Sequence, residues 1–218
     1  IVGGNSNRVT GATSFVGGGT SNYSFGSSSA IVGGLLNKAT AALSFIGGGS
    51  GNSALTQSYA TIVGGKSNRV SGPRGFIGAG YSNIVASQSS VVSGGEYNTA
   101  SGYISFIGGG QNNTVTGDNA TIAGGSSNRA SGNGSFIGAG NQNSATTINA
   151  TVVSGRRNLA SGEYSFIGSG HRNSAVTDNS IVVGGLYNRI STNSGSYVTN
   201  RNSSVVVGGT GNTAFDGD

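Results

Sequence analysis

Apolar pairs followed by glycine recur along this chain at a fixed interval, as in Phe45-Ile46-Gly47-Gly48-Gly49 and Ile62-Val63-Gly64-Gly65. Each is followed by an asparagine, and two residues beyond it stands a small apolar residue such as Val9, Ala39, Ala54, Val70, Ala100, Ala130 or Ala160. The asparagines are Asn7, Asn22, Asn37, Asn52, Asn68, Asn83, Asn98, Asn113, Asn128, Asn143, Asn158, Asn173 and Asn188, spaced by 15 residues at every step but one, which is 16. A unit that short cannot hold a core alone and must stack on its neighbours. The apolar runs are too short for the i, i+3, i+4, i+7 pattern, and each helix-interior Gly would cost roughly 1 kcal/mol. Ile, Val and Phe favour strands, while Gly and Asn suit sharp corners. The pattern therefore predicts an all-β, parallel β-solenoid, a β-roll or β-helix. Regular repeats are expected over 1–190 and irregular C-terminal rungs or a cap over 191–218, because the asparagine spacing fails after Asn188.

In a stack of that kind the same residue recurs above itself about 4.8 Å away. The asparagines are thus expected to form a structural ladder that passes amide hydrogen bonds from rung to rung and satisfies polar groups at a tight corner. A second rhythm overlies the first. Phe15, Phe45, Phe76, Phe106, Phe136 and Phe166, continued by Tyr197, take the first apolar slot of alternate units, and Ile1, Ile31, Ile62, Val91, Ile122, Val152 and Ile181 take it in the units between. Either a coil of about 15 residues alternates bulky and slim rungs, or the coil has about 30 residues. Arg8, Lys38, Arg69, Arg129 and Arg189 follow Asn in the Ile-type units alone, and a 30-residue coil would place these like charges on neighbouring strands. The shorter coil is preferred.

The two members of each apolar pair point to opposite faces of a strand. One fills the coil interior; the other needs cover, which predicts association with further copies of the chain. Composition adds limits. With 43 Gly among 218 residues and 34% apolar residues, each rung has a thin core. Cysteine is absent, so a disulfide or thiolate framework is excluded. No apolar stretch is long enough to span a membrane as a helix, no signal peptide is recognised, and Ile1 enters directly at a rung, which reads as a segment of a longer array. The net charge of +5 rests on only 8% charged residues without interleaved aromatic platforms, so nucleic acid is not an expected partner.

Units such as Tyr103-Ile104-Ser105-Phe106-Ile107-Gly108-Gly109-Gly110-Gln111-Asn112-Asn113-Thr114-Val115-Thr116-Gly117 and Ser165-Phe166-Ile167-Gly168-Ser169-Gly170-His171-Arg172-Asn173-Ser174-Ala175 resemble the head repeats of YadA-type trimeric autotransporter adhesins and similar repeats of phage tail fibres. The resemblance implies a left-handed β-roll, a homotrimer, adhesion to a host surface glycan or protein, and an extracellular place on a bacterial cell or virion surface.

No constellation argues for catalysis, a cofactor or a metal. The glycine runs lack a Walker pattern, and six carboxylates cannot supply a calcium-binding repeat. Glu163 and Asp178 share one slot in adjacent units and would stand side by side, most simply as solvated acids. Arg156 and Arg157 would stack on His171 and Arg172, the densest basic patch, able to take an anionic sugar or phosphate. Near the irregular end, Tyr187, Arg189, Tyr197 and Arg201 complete the candidate ligand contacts. The expected function is an adhesive or receptor-binding fibre segment. The alternatives are a subunit of a self-assembling extracellular filament and an ice-binding protein, the last using a column of Ser14, Ser44, Thr61, Ser90, Ser105, Thr121, Ser135, Thr151 and Ser165.

Overall fold

A computed structural model describes residues 1–55, 58–192 and 203–216. They fall into two units, Ile1–Asn112 and Asn113–Asp218. Each unit is a parallel β-solenoid of two-residue strands, with no helix among the described residues. In the first unit Arg8–Val9 pairs with Tyr23–Ser24, which pairs with Lys38–Ala39. Phe15–Val16 pairs with Ala30–Ile31, and Ala30–Ile31 with Phe45–Ile46, to form a second sheet. The second unit repeats this with Thr114–Val115 on Arg129–Ala130 and Thr121–Ile122 on Phe136–Ile137. The strands that follow each ladder asparagine form the Asn sheet, and the others the Phe sheet. Arg8 lies against Tyr23, 15 residues on, and only at the longer repeat does the register become Ser53 against Arg69.

The core lies between the two sheets and is one column deep on each side. From the Phe sheet come Val16, Ile31, Ile46, Ile62, Ile77, Val92 and Ile107 in the first unit, all fully buried. Facing them are the smaller Ala39, Ala54, Val70, Val85 and Ala100 of the Asn sheet. Large against small lets a thin coil close without voids. Each β-branched residue stacks on its like along the ladder, where a pleated surface suits it.

This register corrects the expected alternation. Ile31, Ile62, Ile122 and Val152 do not share the Phe slot; they stand one residue later and are buried in the core, and the outer slot beside Phe holds Ala30, Thr61, Thr121 and Thr151. Val91 and Ile181 do pair with Phe76 and Phe166. Distance from the asparagine, not the first apolar residue, sets the column. Phe15 and Ala30 both follow their asparagines by 8 residues, and Ile31 by 9. The core column is therefore uniform, and the alternation of bulky with slim lies on the outside. The proposed Ser/Thr column divides the same way. Ser44, Ser90, Ser105, Ser135 and Ser165 are buried, while Thr61, Thr121 and Thr151 lie on the outer face, each between phenylalanine rungs where both neighbours are described.

The asparagines do form a file, with a different bonding pattern from the expected relay of amides. The Asn68 backbone N–H donates to Asn52 Oδ1 at 3.0 Å, and Asn68 Oδ1 in turn accepts the Asn83 N–H at 2.9 Å. Asn68 Nδ2 donates to the carbonyls of Gly64 at 3.0 Å and Gly80 at 2.9 Å. One side chain thus bonds backbone on its own rung and the next, using both of its donors and its acceptor. Amide-to-amide contact occurs as well at Asn22 Nδ2 to Asn7 Oδ1, 3.2 Å. Glycine is forced beside it: Gly80 has φ +106°, and a Cβ there would collide with the Gly95 carbonyl oxygen.

Both corners hold non-glycine residues in the left-handed region, for instance Leu36 (φ 56°) and Leu43 (φ 55°). Strand N–H groups donate toward the next rung, as Arg8 does to Asn22 O at 2.8 Å. The left-handed residues turn their N–H the other way, Leu36 to Thr20 O at 3.0 Å and Leu43 to Ser27 O at 2.8 Å. The ladder bond offsets a conformation that costs roughly 1–2 kcal/mol in an L-residue.

Beyond Asn188 the regular pattern resumes within the described residues. Val205–Val206 pairs with Ile181–Val182, and the Asn212 N–H donates to Asn188 Oδ1 at 3.0 Å. Asn212 is therefore a further member of the ladder. The 24 residues from Asn188 to Asn212 exceed the regular step by 24 − 15 = 9.

Two outcomes follow. Asn68→Ala strands two buried carbonyls and the Asn83 N–H, and is expected to cost about 3 kcal/mol or more at roughly 1–3 kcal/mol per orphaned group, read as a lower urea midpoint. Ile104, β-branched at φ 50° and exposed, is the reverse case. Ile104→Asn is expected to raise the midpoint by about 1 kcal/mol, since Asn tolerates the left-handed region.

Candidate functional site

Two kinds of surface stand out: the outer face of the Phe sheet and the charged corners. On the outer face, Phe and Gly occupy one rung and a slim residue with Val the next. In the second unit the first column reads Thr121, Phe136, Thr151, Phe166, Ile181, and the column two residues on reads Ala123, Gly138, Val153, Gly168, Val183. The ring of Phe136 lies over Gly138, with Cε1 3.5 Å from where a Cβ would sit, and Phe166 covers Gly168 in the same way. Phe136 stays 37% exposed and Val183 47%. Neither column carries a charge. In the first unit Phe15, Phe45 and Phe106 with Val32 and Val63 leave an equivalent apolar stripe open.

The corner that precedes each ladder asparagine carries the predicted basic patch. Bridges stack Asn141, Arg156, His171 and Leu186, and the neighbouring column of Gln142, Arg157, Arg172 and Tyr187 is left-handed throughout. That conformation turns their side chains off the corner. Arg157 Nε donates to Gln142 Oε1 at 2.8 Å, whereas Arg172 Nη1 donates to Tyr187 Oη at 3.1 Å, with its Cζ 5.5 Å from the ring centroid. The two guanidinium groups therefore lean apart along the stack. The His171 ring sits 5.7 Å from that of Tyr187, and its Nε2 is shielded with no hydrogen-bond partner. Burial, then Arg172, Arg156 and Arg157, push the His171 pKa below its ordinary 6.5. Guanidinium forks in this setting suit a carboxylate, sulfate or phosphate oxygen.

Of the remaining predicted contacts, Arg189 stands apart from this cluster, exposed in the outer column of the Asn sheet between Ser174 and Thr213. Tyr197 and Arg201 lie outside the described residues. Glu163 and Asp178 do come together at the other corner of the same rungs, where Asp178 Oδ1 accepts the Glu163 N–H at 2.8 Å. Asp178 thus supports the backbone.

Three contacts escaped the sequence reading, all in the first unit. Tyr81 and Tyr97 meet edge to face at 5.1 Å with the Lys66 ammonium 5.7 Å from the Tyr81 ring. An open depression of about 200 Å³ is lined by Ser58, Tyr59, Pro73, Arg74 and Gln88. Arg8 lies over Phe25 at 5.7 Å. The signal was present in the 15-residue spacing of these side chains, but single aromatics broke no pattern. Among the described residues no group of three or more His, Cys, Asp or Glu side chains is placed to hold a metal.

The histidine yields a prediction. By NMR titration His171 should ionise below 6.5, and Arg156→Gln with Arg157→Gln should move it upward. Because folding disfavours its charged form, the unfolded chain takes up a proton first as pH falls through 6.5, so His171 contributes a loss of stability in that direction and none above neutrality. The chain matches no protein-family model, and no curated protein matches it in sequence.

Proposed function

We propose that this chain is an adhesive or receptor-binding segment of a surface fibre, built from several parallel copies and making its ligand contacts at the solenoid corners. The observation that carries the reading is the uncharged Phe/Val face, which keeps Phe136 37% exposed and Val183 47% exposed over a sheet whose other side is fully buried. A contiguous apolar stripe on a slender coil is an interaction surface by its cost in water. Its Phe ridges recur on every second rung, a period that another copy of the same chain matches. Bundled copies stiffen the shaft and repeat each corner, so weak contacts to a host glycan or protein add through avidity. The resemblance to YadA-type heads and phage fibre repeats extends the proposal to a left-handed winding of about 15 residues, a homotrimer, and an extracellular place on a bacterial or viral surface.

The second reading, a filament subunit with no receptor, rests on the same face and differs in whether assembly closes. Ice binding loses its support, since the serines of its proposed column point inward. Light scattering with sizing should give a closed assembly of a few copies; open-ended polymers would favour the filament, and a monomer would remove both. Phe136→Ser with Phe166→Ser should dissociate the assembly while leaving the far-UV spectrum of the fold in place. A glycan array and intact-cell binding, both blank, would overturn the adhesive reading.

A further inference from the structure

Charge along the solenoid is spaced with care except at one height. On the outer column of the Asn sheet Arg8 and Lys38 are separated by Tyr23, and Lys38 and Arg69 by Ser53. Among the described residues, cations occupy consecutive rungs only where Arg156 and Arg157 lie under Arg172. Acids occupy consecutive rungs only at Glu163 and Asp178. Like charges on adjacent strands are destabilising. Both exceptions fall on the same two rungs, at opposite corners. The chain passes from Glu163 through the strand Phe166–Ile167 to Arg172, so the apolar Phe face has an acidic edge and a basic edge at one height.

We infer that a second copy of this chain docks on the Phe face in parallel and in register, with Arg157 and Arg172 of one copy against Glu163 and Asp178 of the next. This rests on the self-association proposed above and specifies its geometry. The argument is one of symmetry. Turning a copy about an axis parallel to the stack brings its basic edge to the acidic edge of its neighbour at the same height, whether the ring closes with two copies or three. Turning it end over end brings basic edge to basic edge. The Phe ridges and Val rungs tolerate sliding by two rungs, because that is their period; the single charged step does not, so it selects one register. Arg172 already leans off the stack toward Tyr187 and Arg157 toward Gln142, which opens the basic edge to a partner's carboxylates.

The test is a charge swap read by sedimentation velocity across a concentration series. One variant carries Arg157→Glu and Arg172→Glu, so both its edges are acidic; the other carries Glu163→Lys and Asp178→Lys, so both are basic. Each alone should associate on the order of tenfold more weakly than the parent chain. An equimolar mixture should recover assembly, with both variants in the same species, and that recovery also shows that each variant folds. If either variant alone associates as the parent does, or the mixture stays dissociated, the edge pairing is overturned while self-association through Phe136 and Phe166 stands. A parent chain that stays monomeric overturns both. So does a monomer that takes up a sulfated oligosaccharide through Arg157 and Arg172, which would make that corner a ligand site.

Discussion

The clamp made by each ladder asparagine is the constraint from which the rest of the structure follows. A side chain that bonds two glycine carbonyls and the next asparagine N–H fixes one corner of every rung in three directions at once. The bonds are buried, where an unmet partner is expensive and a met one is rigid. With that corner fixed, the chain returns to it at the same count, and every other column falls into line. Both departures from the 15-residue step enter elsewhere, between Ala54 and the strand Thr61–Ile62 and between Ile190 and the strand Val205–Val206. The clamped corner does not accept an extra residue; the opposite corner does.

That opposite corner is held by backbone alone. Residues as unsuited to the left-handed region as Ile104 and Tyr164 occupy it because their N–H groups meet the carbonyls of the preceding rung, Ile104 to Gln88 and Tyr164 to Ile148. Strain here is local and repeated, and each ladder bond answers it locally. A corner secured this way is indifferent to side-chain identity, which is why acids, amides, tyrosines and aliphatics all appear there. The surface chemistry of the protein is written on the positions that the fold leaves unspecified.

Much of this was legible in the sequence. The asparagine period gives the solenoid because a stacked architecture is the one arrangement in which so short a unit buries anything. The basic cluster at Arg156, Arg157, His171 and Arg172 was legible for the same reason, since residues 15 apart become neighbours. What misled was the apolar pair. Reading Ile31 and Phe15 as equivalents followed hydrophobicity, whereas register follows the clamp, and a shift of one residue exchanges inside for outside. Asn212 was hidden by a longer interval, although Val206, Gly208 and Gly209 announce it as their counterparts do elsewhere. The lean of the two arginines and the pairing of Tyr81 with Tyr97 depend on rotamers, which no spacing encodes.

The uniform interior and the alternating exterior obey different periods, one rung and two. Any single rung can therefore replace its neighbour without disturbing the buried column, but only a pair of rungs can be lost or duplicated without setting phenylalanine beside phenylalanine. Length in such a molecule is quantised twice, in single steps by its stability and in double steps by whatever it lies against.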